Sequence, residues 1–224
     1  MPNYIPNNYF TLSKKKLGYF AYQHYALPVY EWIQRGIRSD KRIMTSILEK
    51  VSEVFSQSKK ILVVRFDLHV KEYSENNQVI SLFNQRIERS IVHNYPNLNI
   101  HIIWIREHGK ASKQHYHCAI LVDGQRINHP AKLNRLLESA WKITSDGHFS
   151  IPDNCYYLWK YGDNHMLGKI IYRLSYMAKN ITKKRFNSKT KRYGIRRLTK
   201  NKKYHKDVKS KTLPIVTDKF NSIF

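Results

Sequence analysis

Two neighbouring runs, "NIHIIWIRE" (99–107) and "QHYHCAILV" (114–122), constrain the fold more than anything else in the chain. Both are rich in β-branched and aromatic residues, and the stretch between them is short and polar, so they read as an antiparallel hairpin whose strands are largely buried. The flanking pattern says what covers them. Ile47, Val51, Val54 and Phe55 recur at helical spacing within 41–57, and "KKILVVRFDLHVKE" (59–72) then turns alternating and β-branched. Ile80, Phe83, Ile87 and Ile91 form a helix stripe that stops before Pro96. Leu133, Leu137 and Ala140 mark a helix opened by Asn128 and Pro130, "CYYLWKY" (155–161) reads as a strand, and 164–181 reads as a last helix. The resulting β-α-β-β-α-β-α order predicts an α+β fold with a central antiparallel β-sheet covered by helices. It divides the chain into a helical or irregular segment (1–58), a folded domain (59–182) and a basic tail (183–224). Residues 1–40, rich in Tyr and basic side chains, receive no role from this reading.

Side chains alternate across a strand, so His115 and His117 share one face while Tyr116 and Cys118 point the other way. If 108–114 form the hairpin loop, Glu107 lies opposite His115 and Ile105 opposite His117, which brings a carboxylate to the histidine face. Two imidazoles and a carboxylate around one point suit a divalent ion, Mg²⁺ or Mn²⁺ foremost and Zn²⁺ conceivably, with positions left open for phosphate oxygens. The plainer alternative is that these are packing histidines in a chain that has 11 of them. Asp67 and His69 share a face of their own strand and could add a ligand or a DNA contact, although Asp67 could equally pair with Arg65.

Charge points to the partner. Forty Lys and Arg stand against 16 Asp and Glu, a net charge of +24, which is the footprint of a polyphosphate partner such as nucleic acid. The stretch 183–211 holds 14 of these cations and one acid, and its low hydrophobicity predicts a tail that is disordered or orders only on its partner. Arg65, Lys183, Lys184, Arg185, Lys191, Arg192, Arg196 and Arg197 are the candidate DNA contacts. Cys118 and Cys155 are too few for a disulfide framework, and neither a membrane-length apolar run nor a secretory leader is present, so a cytoplasmic protein without membrane contact is expected.

On a helix over 164–181, Leu167, Ile170, Ile171, Leu174 and Met177 form the apolar stripe, whereas Tyr172, Tyr176 and Lys179 fall together on the opposite face. A phenol beside a lysine and a metal is suited to attack on a phosphodiester, because the cation favours the phenolate over a phenol of ordinary pKa about 10. Packing or base-stacking tyrosines in a non-catalytic DNA- or RNA-binding protein are the competing reading.

"HYH" on a strand, Glu107 one loop earlier and "YRLSYMAK" on a later helix together resemble the HUH endonuclease superfamily of rolling-circle replication initiators. From "VVRFDLHV" (63–70) through "KRYGIRRL" (191–198) the chain is most similar to the replication initiators of filamentous phages (inoviruses) and their prophage relatives. The resemblance implies that His115, His117 and Glu107 bind Mg²⁺ or Mn²⁺, that Tyr176 with Lys179 is the nucleophilic Tyr-x-x-Lys pair, and that Tyr172 is the second tyrosine of two-tyrosine initiators. It further implies nicking of single-stranded DNA at a replication origin, a 5′-phosphotyrosine intermediate, and a host polymerase and helicase as partners in a bacterial cell. A transposase or plasmid relaxase would use the same chemistry. Two departures stand out: Ser175 occupies a position where the phage helix often has lysine, and Tyr116 is a less purely hydrophobic centre for the His-x-His motif.

Overall fold

The computed structural model describes residues 3–4, 17–23, 25–31, 35–108, 114–180, 190–198 and 213–214. Strands β1 (Asn3–Tyr4), β2 (Leu17–Tyr22) and β3 (Tyr25–Tyr30) form a small sheet in the order β1-β3-β2. Helix α1 (Lys41–Ser56) follows, its first turn fixed by the Asp40 carboxylate accepting from the Ile43 N–H at 3.2 Å. Then come β4 (Lys60–His69), α2 (Gln78–Asn94), β5 (Ile100–His108), β6 (Gln114–Asp123), α3 (Ala131–Thr144), β7 (Phe149–Ser150) and β8 (Tyr156–Lys160). Helix α4 (Asn164–Ser175), capped by Asp163, tightens into a 3₁₀ turn over Tyr176–Ala178, and β9 (Tyr193–Arg197) closes the described order. Among the described residues no helix is long and apolar enough to cross a membrane.

The large sheet is antiparallel throughout and runs β7-β4-β6-β5-β9, with β8 on the same edge of β4 as β7. Its two faces carry separate cores. Ile61, Val63, Ile103, Ile105, Ala119 and Leu121 point to one face, which α1 and α4 cover with Ile47, Val51, Phe55, Leu167, Ile170 and Leu174. Phe66, Leu68, Ile102, Tyr116, Cys118 and Ile120 point to the other, which α2 and α3 cover with Phe83, Ile87, Leu137 and Trp141. Both strands of the central hairpin are therefore buried on both sides, which explains their near-continuous apolar sequence. The α+β architecture and its helix-covered antiparallel sheet match the expectation.

Three boundaries differ from it. The first 58 residues are not a separate segment, because Leu27 and Val29 of β3 and the apolar stripe of α1 join the same core as the sheet. The tail is not wholly apart from the fold either: β9 pairs with β5 from Tyr193↔Ile105 to Arg197↔His101, and Leu198 is buried behind it. "YGIRR" reads as tail because an edge strand needs an apolar residue on one face only, and here the backbone at Gly194 lies against the indole of Trp104 where a Cβ would clash. The last helix also ends earlier than expected, at Ser175 instead of residue 181. Of the tail's candidate DNA contacts, Lys183, Lys184 and Arg185 lie outside the described residues.

Two truncations separate the folded part of the tail from the rest. Ending the chain after residue 182 should lower unfolding free energy by at least about 2 kcal/mol more than ending it after residue 198, since burial of Leu198 alone contributes about that much. Urea denaturation measures the difference, and equal stability of the two truncations would contradict the placement of β9.

Candidate active site

Register puts the histidines and carboxylates in one place. Pairing of β5 with β6 sets Glu107 opposite His115 and Ile105 opposite His117, as expected, and pairing of β4 with β6 sets Asp67 opposite His117 and His69 opposite His115. Glu107 Oε2 lies 3.2 Å from Nε2 of both His115 and His117. One donor atom from each of the three residues falls within 4.8 Å of the others. Adjacent ligands on an ion with bonds of about 2.1 Å stand about 3 Å apart, so the two Glu107–histidine spacings are compatible with a divalent ion and the cluster could hold one.

Unmet polar atoms support the same reading. Glu107 is 1% exposed, yet its Oε1 has no hydrogen-bond partner among the described residues. His117 Nε2 faces Glu107 Oε2 at 3.2 Å but has no hydrogen-bond partner among the described residues. An acceptor and an imidazole lone pair that are buried, adjacent and unmatched are what a cation would satisfy. Burial pushes the Glu107 carboxyl up, but the imidazoles of His115 and His117 and the charge of Lys179 outweigh it and hold the group well below the usual carboxylate range.

Asp67 orients the set. Its Oδ1 accepts from His117 Nδ1 at 2.8 Å, which places the ring proton on Nδ1 and leaves Nε2 bare toward Glu107. Burial raises the Asp67 carboxyl, but the bond from His117 and the Arg65 guanidinium at 2.9 Å more than offset it, and the group is shifted down. Arg65 therefore needs correction as a DNA contact. At 2% exposure it is sealed beneath the site, where it fixes Asp67 instead of meeting phosphates.

Lys179 links this cluster to the tyrosine. Its Nζ donates to the Tyr176 hydroxyl at 2.9 Å and lies 3.6 Å from Glu107 Oε2. The 3₁₀ turn is the local cause, since residues three apart eclipse in that geometry whereas they are offset by about 60° on an α-helix. An isolated bridge between Ser39 and Lys179 holds the end of the turn. Tyr176 stands 5.6 Å from the His117 ring, centroid to centroid.

Tyr172, one turn earlier, is placed differently. Burial pushes its phenol up to about 12, with Tyr30 adding to the shift. Tyr30, at the end of β3, lies edge-on to both rings, 6.1 Å from Tyr172 and 5.0 Å from Tyr176. Its backbone N–H donates to Ser175 Oγ at 2.6 Å, and that hydroxyl donates to the Tyr172 carbonyl. Ser175 is fully buried against β3, so a lysine at this position would point into the N-terminal strands and not at DNA. Tyr30 is the residue that sequence reasoning missed. Nothing local marks it, because its position comes from packing of β3 on α4.

The remaining candidate contacts line up along β9. Lys191 and Arg196 are exposed and Arg192 is partly so, its guanidinium 3.5 Å from Asp40. Arg197 bonds Asn99 Oδ1 and sits opposite His101, four residues along β5 from Ile105, about 13 Å from the histidine end.

A family model described as the YagK/YfjJ C-terminal domain matches residues 29–195. The chain belongs to this family. The YagK/YfjJ match spans β3 to β9 and so takes in Tyr30, the Glu107–His115–His117 cluster and the Tyr176–Lys179 pair. No curated protein and no solved structure matches the chain.

Asp67→Asn removes the charge that polarises His117 while keeping an acceptor. Mn²⁺ affinity measured by titration calorimetry should fall about 10- to 100-fold, the usual effect of losing such a partner. Unchanged affinity would show that His117 is not a ligand or that Asp67 does not orient it.

Proposed function

We propose that the chain is a metal-dependent, tyrosine-dependent DNA-nicking and strand-transfer enzyme of the HUH type that acts on single-stranded DNA at a replication origin. One observation carries this reading: the Tyr176 hydroxyl, Lys179 Nζ and Glu107 Oε2 form a continuous chain of contacts at 2.9 and 3.6 Å that ends on the His115–His117 cluster. Tyrosines that served only packing or base stacking would have no need of a partly buried lysine shared with a carboxylate among histidines. The resemblance of "HYH" and "YRLSYMAK" to rolling-circle initiators adds to it.

Glu107, His115 and His117 would hold Mg²⁺ or Mn²⁺, which supplies Lewis-acid polarisation of the scissile phosphate. Tyr176 Oη attacks phosphorus, its proton passing to water. The new Oη–P bond replaces the P–O3′ bond, the 3′ oxygen leaves and takes up a proton from water, and the 5′ phosphate stays on the tyrosine. Lys179 steadies the negative charge that develops on the phenol oxygen as the proton leaves. The free 3′ hydroxyl is a primer for a host polymerase. The phosphotyrosine remains open to attack by another hydroxyl, so the strand can be rejoined. Tyr172, which has no lysine at the matching spacing and packs against Tyr30, is the auxiliary group, engaged in a second transfer.

Incubation with labelled single-stranded DNA and Mn²⁺, followed by a denaturing gel, tests the proposal. The native protein should give a covalent adduct. Tyr176→Phe should reduce it at least about a hundredfold with little loss of DNA affinity, and Tyr172→Phe should still cut once. Full adduct yield from Tyr176→Phe, or none from the native protein with either Mn²⁺ or Mg²⁺ on strands containing the origin, would contradict it.

A further inference from the structure

Helix α4 brings two further cations to the tyrosine site. Residues three apart on a helix are neighbours, and residues seven apart fall about 20° from one another, so Arg173 flanks Tyr176 and Lys169 stands two turns behind it on the same side. Both cations are partly exposed, whereas Leu167, Ile170, Ile171 and Leu174 turn into the core.

Arg173 is held from the loop between β7 and β8. Its Nη2 donates to the Asp153 carbonyl at 2.6 Å, and two residues further on the Cys155 carbonyl accepts from the Arg65 N–H at 2.6 Å. The Arg65 guanidinium carbon in turn faces the Tyr176 ring, 5.8 Å from its centroid, and Lys179 Nζ lies 4.0 Å from the same centroid. The nucleophilic ring is thus bordered by Arg173 on its own helix, by Arg65 from the sheet and by Lys179 from the turn.

These cations are short of counter-charge. Arg65, Arg173 and Lys179 outnumber Asp67 and Glu107, and both carboxylates are already engaged by histidines. Burial pushes the Arg65 guanidinium down, Asp67 opposes that push, and the charge of Arg173 adds to it, so the two guanidiniums repel each other. Arg173 bonds a carbonyl and no carboxylate, and Lys169 has no ion pair, among the described residues. Like charges gathered in one place cost stability, and a phosphate between them supplies the missing anion through charge-assisted hydrogen bonds.

We propose that the open face of α4 is a phosphate track for the single strand that Tyr176 attacks, with Arg173 holding the phosphate next to the scissile one and Lys169 a phosphate beyond it. The helix rise sets the two cations about 6 Å apart along the axis, so the strand lies along α4 and not across it. Arg173 is suited to the nearer place because the Asp153 carbonyl fixes its planar fork. That the strand is the nicking substrate rests on the proposed function, but the track itself is measurable as binding, without metal or cleavage.

Fluorescence anisotropy of the full chain, without metal, on a short mixed-sequence single-stranded oligodeoxynucleotide provides the test. Arg173→Gln and Lys169→Gln should each weaken binding about three- to tenfold and lower the slope of log K against log salt by about 0.7, the share of one phosphate contact on a single strand. Arg173→Lys keeps the charge and should restore the native slope. An Arg173 that served only to tether Asp153 would instead lower the melting temperature of Arg173→Gln and leave its slope native. That result overturns the track, and so does a native slope in Lys169→Gln, which has no protein partner to lose and so reads binding apart from folding. An oligoribonucleotide of the same sequence bound about tenfold more tightly than the DNA would assign the track to RNA and overturn it as well. Slopes that fall as expected in a protein that forms no covalent adduct would uphold the track and reject nicking, whereas an adduct from the native protein with native slopes in both variants would do the reverse.

Discussion

A carboxylate that is 1% exposed must be neutralised where it stands, and the compensation of Glu107 organises this molecule. Taking an unpaired carboxylate out of water is far more costly than a small domain can absorb, so the surrounding charges and donors are obligatory and not decorative. His115 and His117 come from the adjacent strand, and Lys179 arrives from a helix that is remote in sequence. The strand pairing that places Glu107 also places Asp67 behind His117, and Asp67 in turn accounts for the buried Arg65. One charge thus ties together β4, β5, β6 and the end of α4.

The same constraint explains why Tyr176 and not Tyr172 is the better-placed phenol. Lys179 is held on one side by Glu107, so its remaining donors are directed, and the 3₁₀ turn stacks it on Tyr176. Tyr172 meets Tyr30 and buried surface, has no lysine contact of this kind, and its phenol is pushed up by burial. The N-terminal sheet is therefore part of the site: β3 covers both tyrosines and locks α4 through Ser175, and removal of that cover would free the helix end on which the Lys179 contact depends.

How much of this is legible in the sequence depends on the range of each interaction. Period-two alternation and a short polar loop are local, so the hairpin, its register and the Glu107–His115–His117 convergence could be read from two adjacent segments. Helix stripes are local too, and the α+β order follows from them. Asp67 was visible as a residue on the right kind of strand, but its partner depends on β4 pairing with β6 across more than one intervening element. Arg65 reads as a surface cation because charge alone does not reveal burial, and an arginine is tolerated inside only with a partner such as Asp67. Tyr30 and β9 lay beyond local reasoning altogether. Both are fixed by packing against elements distant in sequence, and β9 in addition carries the charges that protect an exposed sheet edge and so hide a strand in a basic tail.

The central claim is that Glu107 belongs at once to a metal seat and to the lysine that serves Tyr176. Anomalous diffraction from crystals grown with Mn²⁺ tests it most directly. The account predicts one strong Mn peak bonded at about 2.0–2.3 Å to a Glu107 oxygen and to Nε2 of both His115 and His117. Lys179 should still be within hydrogen-bond reach of Tyr176 in the same map. A map with no peak among these three side chains, or with the ion held by other residues instead, would contradict it.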